Sequence, residues 1–234
     1  MSKLDIRPYP DLIPDDIINR ARQYKSNFLC DGMIGLGVPH NGGMDAGMHP
    51  LTPSMRIVGT AMTVHTSDGD NMPIHLALYT CTHPGYVMVI DGGGYTESPY
   101  FGDVRIAIAK AVGMTAVIVD GYCRDYDDVT KVGLPVFAKG WMPRSTYDRD
   151  PGIVNGPIVC AGVEVNPGDL VVGDSDGVVV VPRRHIDAVL EGAAKAVAYE
   201  EERRLTIAAY EKAKREGDPL PEIATTQARE LLGR

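Results

Sequence analysis

The feature that most constrains this chain is a pair of apolar strands with a helix between them. "YVMVIDGGGY" (86–95) is a continuous apolar run ending in glycines, and "TAVIVDG" (115–121) is a second such run. Between them "GDVRIAIAKAVGM" (102–114) has the apolar spacing of a helix. "YDDVTKVG" (126–133) then reads as a short helix and "LPVFAKG" (134–140) as a third strand. This β-α-β-α-β order predicts a parallel sheet with helical crossovers.

Around that unit, "PDDIINRARQYKS" (14–26) reads as one amphipathic helix and the Gly-rich stretch 31–50 as loop. Arg56–Thr66 is a predicted strand, and Asp70 or Asn71 is the expected cap of the helix after it. Residues 157–182 alternate short β-rich runs with Asn-Pro-Gly-Asp and Ser-Asp-Gly turns, which predicts antiparallel hairpins. From about 183 to 215 a polar helix with an apolar stripe runs on longer than so small a domain buries, which points to a subunit contact.

At 234 residues one domain suffices, divided as an N-terminal helix and Gly-rich segment (1–55), a core (56–182) and a helical tail (183–234). A net charge of −8 argues against a general attraction to nucleic acid or anionic membrane. No stretch has the apolar length of a signal peptide core or a membrane span, so a cytoplasmic protein is expected. Cys30, Cys81, Cys123 and Cys160 lack ligand or disulfide spacing and are expected as reduced thiols.

The crossover unit has a chemical consequence. Two parallel strands end on one edge of the sheet, and the helix between them starts there, so Asp103 meets Arg124 and Asp125 at one rim although twenty residues intervene. Ligands of open α/β sheets sit at that rim. Asp103 reads as an N-cap whose helix leaves the amides of Val104 and Arg105 free for a carboxylate. Arg124 offers a planar fork of donors to the same anion. Asp125 and Asp103 offer hard oxygen ligands to Mg²⁺ or Mn²⁺. The plainer alternative is a capping carboxylate beside a solvated ion pair.

The span from Asp91 to Gly140 resembles the family that contains regulator of ribonuclease activity A (RraA) and the metal-dependent 4-hydroxy-4-methyl-2-oxoglutarate aldolases. Its aldolase members carry Asp, twenty residues, then Arg-Asp, as Asp103, Arg124 and Asp125 do here. Similarity extends through "GDN" (69–71), "CAGVEVNPGDLVVGDSDGVVVVP" and the charged C-terminal helix. The resemblance implies an RraA-like swivelling β/β/α domain, its parallel β-α-β unit followed by β-hairpins and a long C-terminal helix, assembled as a homotrimer or homohexamer. It further implies a divalent metal on Asp125, with Asp103 contacting it through water. Arg124 and the amides of Val104 and Arg105 would bind a pyruvate-like group. A glutamate from a neighbouring subunit's C-terminal helix would approach the metal's waters; Glu200 is the candidate, with Glu201 and Glu202 close behind. Arg105 departs from the small or aliphatic residues usual after the motif's first Asp, which would narrow the pocket or favour a more anionic substrate.

The implied activity is that of a lyase cleaving 4-hydroxy-2-oxo acids to pyruvate, with oxaloacetate decarboxylation through the same enolate. The alternative is a non-catalytic protein that binds and regulates a ribonuclease. A quinone methyltransferase reading lacks an S-adenosylmethionine site in the sequence: Gly92–Gly94 are contiguous and Pro99 interrupts the helix that such a site needs. A glycine-lined pocket wall fits them better. Lys139 reads as either a Schiff-base lysine or a solvated strand end. His65 and His75, near the GDN turn, read as core, surface or pocket-lining residues.

Overall fold

A computed structural model describes residues 5–81, 83–150 and 152–233. From the N-terminus the chain forms β1 (Asp5–Ile6), α1 (Asp15–Ala21), α2 (Ser26–Gly32), a 3-10 turn (Pro39–Gly42) and β2 (His49–Pro50). Next come β3 (Ile57–His65), α3 (Met72–Thr80), β4 (Tyr86–Tyr95), α4 (Asp103–Ala111), β5 (Ala116–Cys123), α5 (Tyr126–Val132) and β6 (Val136–Trp141). The remainder comprises β7 (Ile153–Val154), β8 (Ile158–Cys160), β9 (Val163–Val165), β10 (Leu170–Asp174), β11 (Gly177–Val181), a second 3-10 turn (Arg183–His185), α6 (Ile186–Glu216) and α7 (Thr226–Leu231).

Strands β3, β4, β5 and β6 lie side by side and parallel, joined by α3, α4 and α5. The far edge of β3 is shared: β10 pairs antiparallel with Ile57–Thr60, and β7 with Val64–His65. Both predicted hairpins form, β8 with β9 and β10 with β11. Alternation along the strands separates two cores. Met88, Ile90, Val117 and Val119 pack with Ile74, Ile106 and Val129 of the three crossover helices. Val87, Val89, Ala116 and Ile118 face Ile158, Val163, Val171 and Val180 from the hairpins.

The N-terminal region departs from its predicted single helix over 14–26. The chain ends α1 at Ala21 and starts again at Ser26, because the buried Asp174 carboxylate accepts from the Ser26 amide (2.8 Å) and hydroxyl (2.7 Å). The Gly-rich stretch is mostly irregular, as expected, but it is pinned down: Met44 donates to the Val178 carbonyl, Asp45 to Ala161 and Leu51 to Val136.

A third core joins Leu29 and Met33 of the N-terminal region to Val172, Val179, Val181 and to Val189, Leu190 and Ala193 of α6. The α2–α6 crossing is close enough that a Cβ on Gly32 would stand 2.4 Å from the Val189 carbonyl oxygen and 2.9 Å from the Ala193 nitrogen. Both obstacles are backbone, so the helices would have to separate. Overpacking of this kind costs about 1–3 kcal/mol and outweighs the helix-propensity gain of up to about 1 kcal/mol. Gly32→Ala is therefore expected to lower the melting temperature by several degrees, at about 2–4 °C per kcal/mol for a chain of this size. A thermal scan matching wild type would mean that this crossing adjusts freely.

No residue of α6 beyond Ala193 is buried, while Tyr199, Leu205 and Ile207 are exposed. Each fully buried apolar side chain contributes roughly 1.5–3 kcal/mol, and the outer part of α6 obtains none of this from its own chain. Among the described residues no helix is long and apolar enough to cross a membrane.

Candidate active site

The segment between β4 and α4 runs back along the end of β5. Tyr100 donates to the Tyr122 carbonyl and Arg124 donates to the Phe101 carbonyl, each at 2.8 Å, and Phe101 bridges Cys123. These rungs extend the sheet by one short step and set Gly102 and Asp103 alongside Arg124 and Asp125.

Helix α4 begins differently from the sequence expectation. Gly102 is the N-cap, in extended backbone, and Asp103 is the first helical residue without a side-chain capping bond. An Asp at that first position still suits the positive end of the helix dipole. Ile106 is the first amide to reach back, donating to the Gly102 carbonyl at 3.1 Å, so the amides of Asp103, Val104 and Arg105 have no intrahelical acceptor.

Asp125 adopts a left-handed backbone (φ 61°, ψ 44°), a conformation that Asp tolerates better than most residues. Its Oδ2 accepts from Arg124 Nε at 3.2 Å, and both side chains are about one-third exposed. A Cβ on Gly102 would stand 2.4 Å from that oxygen and 3.2 Å from Arg124 Nε. Gly102 was not singled out in the sequence, although it directly precedes the motif's first Asp. Arg124 and Asp125 line an open depression of about 320 Å³ with Trp141, Met142 and Pro143.

The donor set is one that a hard cation accepts. Among the described residues no three His, Cys, Asp or Glu side chains gather as a ligand group. Mg²⁺ keeps several waters and needs only one or two protein carboxylates, which Asp125 and Asp103 would supply, and the missing side chain at Gly102 leaves room beside Asp125 Oδ2.

Arg105 turns toward α3. Its Nε donates to His75 Nε2 at 3.1 Å, while Thr146 Oγ1 lies 3.4 Å and Asp148 Oδ1 3.5 Å from its two outer nitrogens. Burial, then the charge of Arg105, lowers the His75 pKa, so at neutral pH the ring is uncharged. Its Nε2 is the acceptor, which leaves the proton on Nδ1.

Residues 147–150 are strapped over the start of α3. Asp70 Oδ1 accepts from the Met72 amide at 2.9 Å, and the Asp70 carboxylate also accepts from the amides of Arg149 and Asp150. Asn71 occupies the N-cap position without a side-chain capping bond. The expected capping at Asp70 or Asn71 thus falls to Asp70, which shares it with a distant loop.

Other candidates find structural employment. Lys139 Nζ lies 2.8 Å from Asp120 Oδ1 and 3.1 Å from Asp45 Oδ2. Burial works against this ammonium, but its hydrogen bonds to Asp120 and Asp45 outweigh it and raise the pKa, which disfavours the free amine that a Schiff base needs. The Tyr100 ring fills the space where a Cβ on Gly92 or Gly121 would stand, so Gly92 serves packing. His65 pairs with Asp91 at 2.8 Å. Glu200, on the outer part of α6, accepts from Arg204 at 2.9 Å; its own chain does not bring it to the rim. All four cysteines are free thiols.

A family model described as RraA-like, aldolase/RraA, matches residues 27–180. A Halalkalibacterium halodurans protein named "Putative 4-hydroxy-4-methyl-2-oxoglutarate aldolase" is 34% identical over 192 residues, covering 82% of this chain and 89% of that protein. Among solved structures, Streptomyces coelicolor RraAS2, described as an unusual member of the RNase ES inhibitor RraA protein family, aligns with a TM-score of 0.72 at 26% identity. That alignment covers 85% of this chain and 98% of the other. A Geobacillus kaustophilus structure described as an S-adenosylmethionine:2-dimethylmenaquinone methyltransferase aligns with a TM-score of 0.56 at 29% identity, over 60% of this chain and 86% of that one.

Proposed function

The chain belongs to the RraA-like family, and from that premise we propose that it is a divalent-metal-dependent lyase that cleaves 4-hydroxy-2-oxo acids and releases pyruvate. The observation that carries this reading is the convergence at Gly102, where the Asp125 carboxylate and the Arg124 guanidinium meet the start of α4 and its free amides.

In this mechanism Arg124 and the amides of Val104 and Arg105 hold the carboxylate at the 2-oxo end, using a planar fork and the positive end of a helix. Asp125 and Asp103 would hold Mg²⁺ or Mn²⁺, which when bound supplies Lewis acidity beside the 2-oxo group. As the bond between C3 and C4 breaks, negative charge grows on the 2-oxo oxygen, and Arg124 neutralises it. Losing such a contact typically costs about a hundred- to a thousandfold in rate. The 4-hydroxyl proton passes to a water that Asp103 orients, and C3 of the released enolate takes a proton back to become the methyl group of pyruvate. Glu200 joins Asp103 from a neighbouring copy, in a homotrimer or homohexamer built on the uncovered length of α6. Oxaloacetate, which loses CO₂ to give the same enolate, is the expected side substrate.

The test is pyruvate release, coupled to NADH oxidation, from 4-hydroxy-4-methyl-2-oxoglutarate and from oxaloacetate. Release that depends on Mg²⁺ or Mn²⁺, exceeds that of the metal alone and stops with EDTA is expected. No release from either compound would overturn the lyase reading in favour of a ribonuclease-binding role, which a pull-down on a ribonuclease would then detect.

A further inference from the structure

The surroundings of Arg105 hold more donors than acceptors. Its side chain is only 12% exposed, yet its closest partner is the neutral ring of His75, and its contacts to Thr146 and Asp148 are 3.4 Å and 3.5 Å. Charge-assisted hydrogen bonds of a guanidinium to a carboxylate settle at about 2.7–2.9 Å. Asp148 therefore engages Arg105 loosely, from a side chain that is itself 38% exposed.

Two further polar groups in the same place lack partners. Among the described residues, buried His75 Nδ1 has none, and Asn71 is wholly buried with both its amide nitrogen and oxygen unbonded. Buried polar atoms are nearly always satisfied, so two such groups together call for something that satisfies them. Asn71 has helical φ and ψ, which puts its side chain one turn before His75 on the same face of α3. His75 in turn touches Arg105 on α4. Both helices start at the rim where β3 and β4 end, so this cluster adjoins the amides of α4 and Arg124.

We propose that Arg105, Asn71 and His75 form a second carboxylate subsite, which receives the distal carboxylate of a dicarboxylic 2-oxo acid whose 2-oxo end lies on Arg124. The inference rests on the lyase reading for its choice of ligand and adds the residues that select among substrates. The incoming carboxylate displaces Asp148 from Arg105 and accepts from the Asn71 amide and from His75 Nδ1–H. A monocarboxylic 2-oxo acid leaves those donors unanswered.

Calorimetric titration of the full chain with Mg²⁺ present, using 2-oxoglutarate and 2-oxobutyrate, tests the subsite without requiring turnover. The wild type is expected to bind 2-oxoglutarate at least about tenfold more tightly, the scale of one charge-assisted contact. Arg105→Leu should lose that preference, the affinity for 2-oxoglutarate falling about tenfold or more relative to that for 2-oxobutyrate. Arg105→Lys should fall between, and it decides the matter together with the wild-type preference if the Leu variant does not fold. Equal wild-type affinities, no binding of either ligand, or an equal loss for both in Arg105→Leu would overturn the subsite; the last would show that Arg105 merely secures the 146–148 segment. A clear 2-oxoglutarate preference without pyruvate release in the coupled assay would leave the subsite standing and remove the lyase reading. Pyruvate release without the preference would do the reverse.

Discussion

Asp125→Asn should fold and melt as the wild type does, yet release pyruvate from 4-hydroxy-4-methyl-2-oxoglutarate at least about a hundredfold more slowly under saturating Mg²⁺, the scale on which electrostatic and metal contacts act. The choice of Asn follows from the backbone. Asp125 sits at φ 61°, and an Ala there would add left-handed strain of roughly 1–2 kcal/mol, mixing a folding defect with a chemical one. Asn accepts that conformation readily and keeps the shape of the side chain. What it removes is the negative charge that a hard cation needs and that pairs with Arg124, while its amide oxygen can still accept from Arg124 Nε. Steady-state rates as a function of Mg²⁺, alongside a thermal scan, separate the two effects. Wild-type turnover with an unchanged metal response would show that Asp125 is no ligand and that its pairing with Arg124 is only a surface ion pair.

The parts of the fold that were legible in the sequence are those set by short-range patterns. The strands at 86–95 and 115–121 and the helix between them announce themselves through unbroken apolar runs and helical spacing, and β4, α4 and β5 fall there. Once that crossover is granted, chain geometry alone brings Asp103 to the rim of Arg124 and Asp125. What was not legible depends on partners far along the chain. Helix α2 starts at Ser26 because of Asp174, 148 residues away. Asp70 divides its carboxylate between the local Met72 amide and the amides of Arg149 and Asp150, about eighty residues on. Residues 153–154, which carry no local strand signal of their own, become β7 because Val64 and His65 present an unpaired edge to them. Arg105 was visible as a departure from the aldolase pattern, but its contacts with His75, Thr146 and Asp148 follow from the packing of α3, α4 and a distant loop. The displacement of the cap from Asp103 to Gly102 has another origin. It reflects the backbone rungs at Tyr100 and Phe101, which hold the preceding residues extended against β5.

Gly102→Ala is the variant with the second largest expected effect, and it separates a role for empty space from a role for chemistry. Gly102 has φ −132° and ψ −176°, extended backbone that any residue adopts, so the substitution brings no conformational penalty of its own. Its added Cβ would meet Asp125 Oδ2 at 2.4 Å and the Arg124 side chain at 3.2 Å from Nε and 3.3 Å from Cγ. Those atoms belong to partly exposed side chains at the end of a strand, which swing outward at little cost to the folded core. The expected result is therefore a melting temperature within a few degrees of wild type and a fall of about a hundredfold in kcat/KM. A misplacement near 1 Å of groups that position a substrate is enough for such a loss. Because Asp125 and Arg124 are both still present, metal and substrate affinity should weaken together, whereas Asp125→Asn should act first on the metal. If Gly102→Ala kept full activity, Asp125 and Arg124 would have room to work apart from the helix start, and the shared site at the rim would be wrong. If instead it unfolded the protein, the junction between β5 and α4 would be a packing element whose glycine serves the core. The two variants thus divide the site into the charge it carries and the space that lets those charges converge.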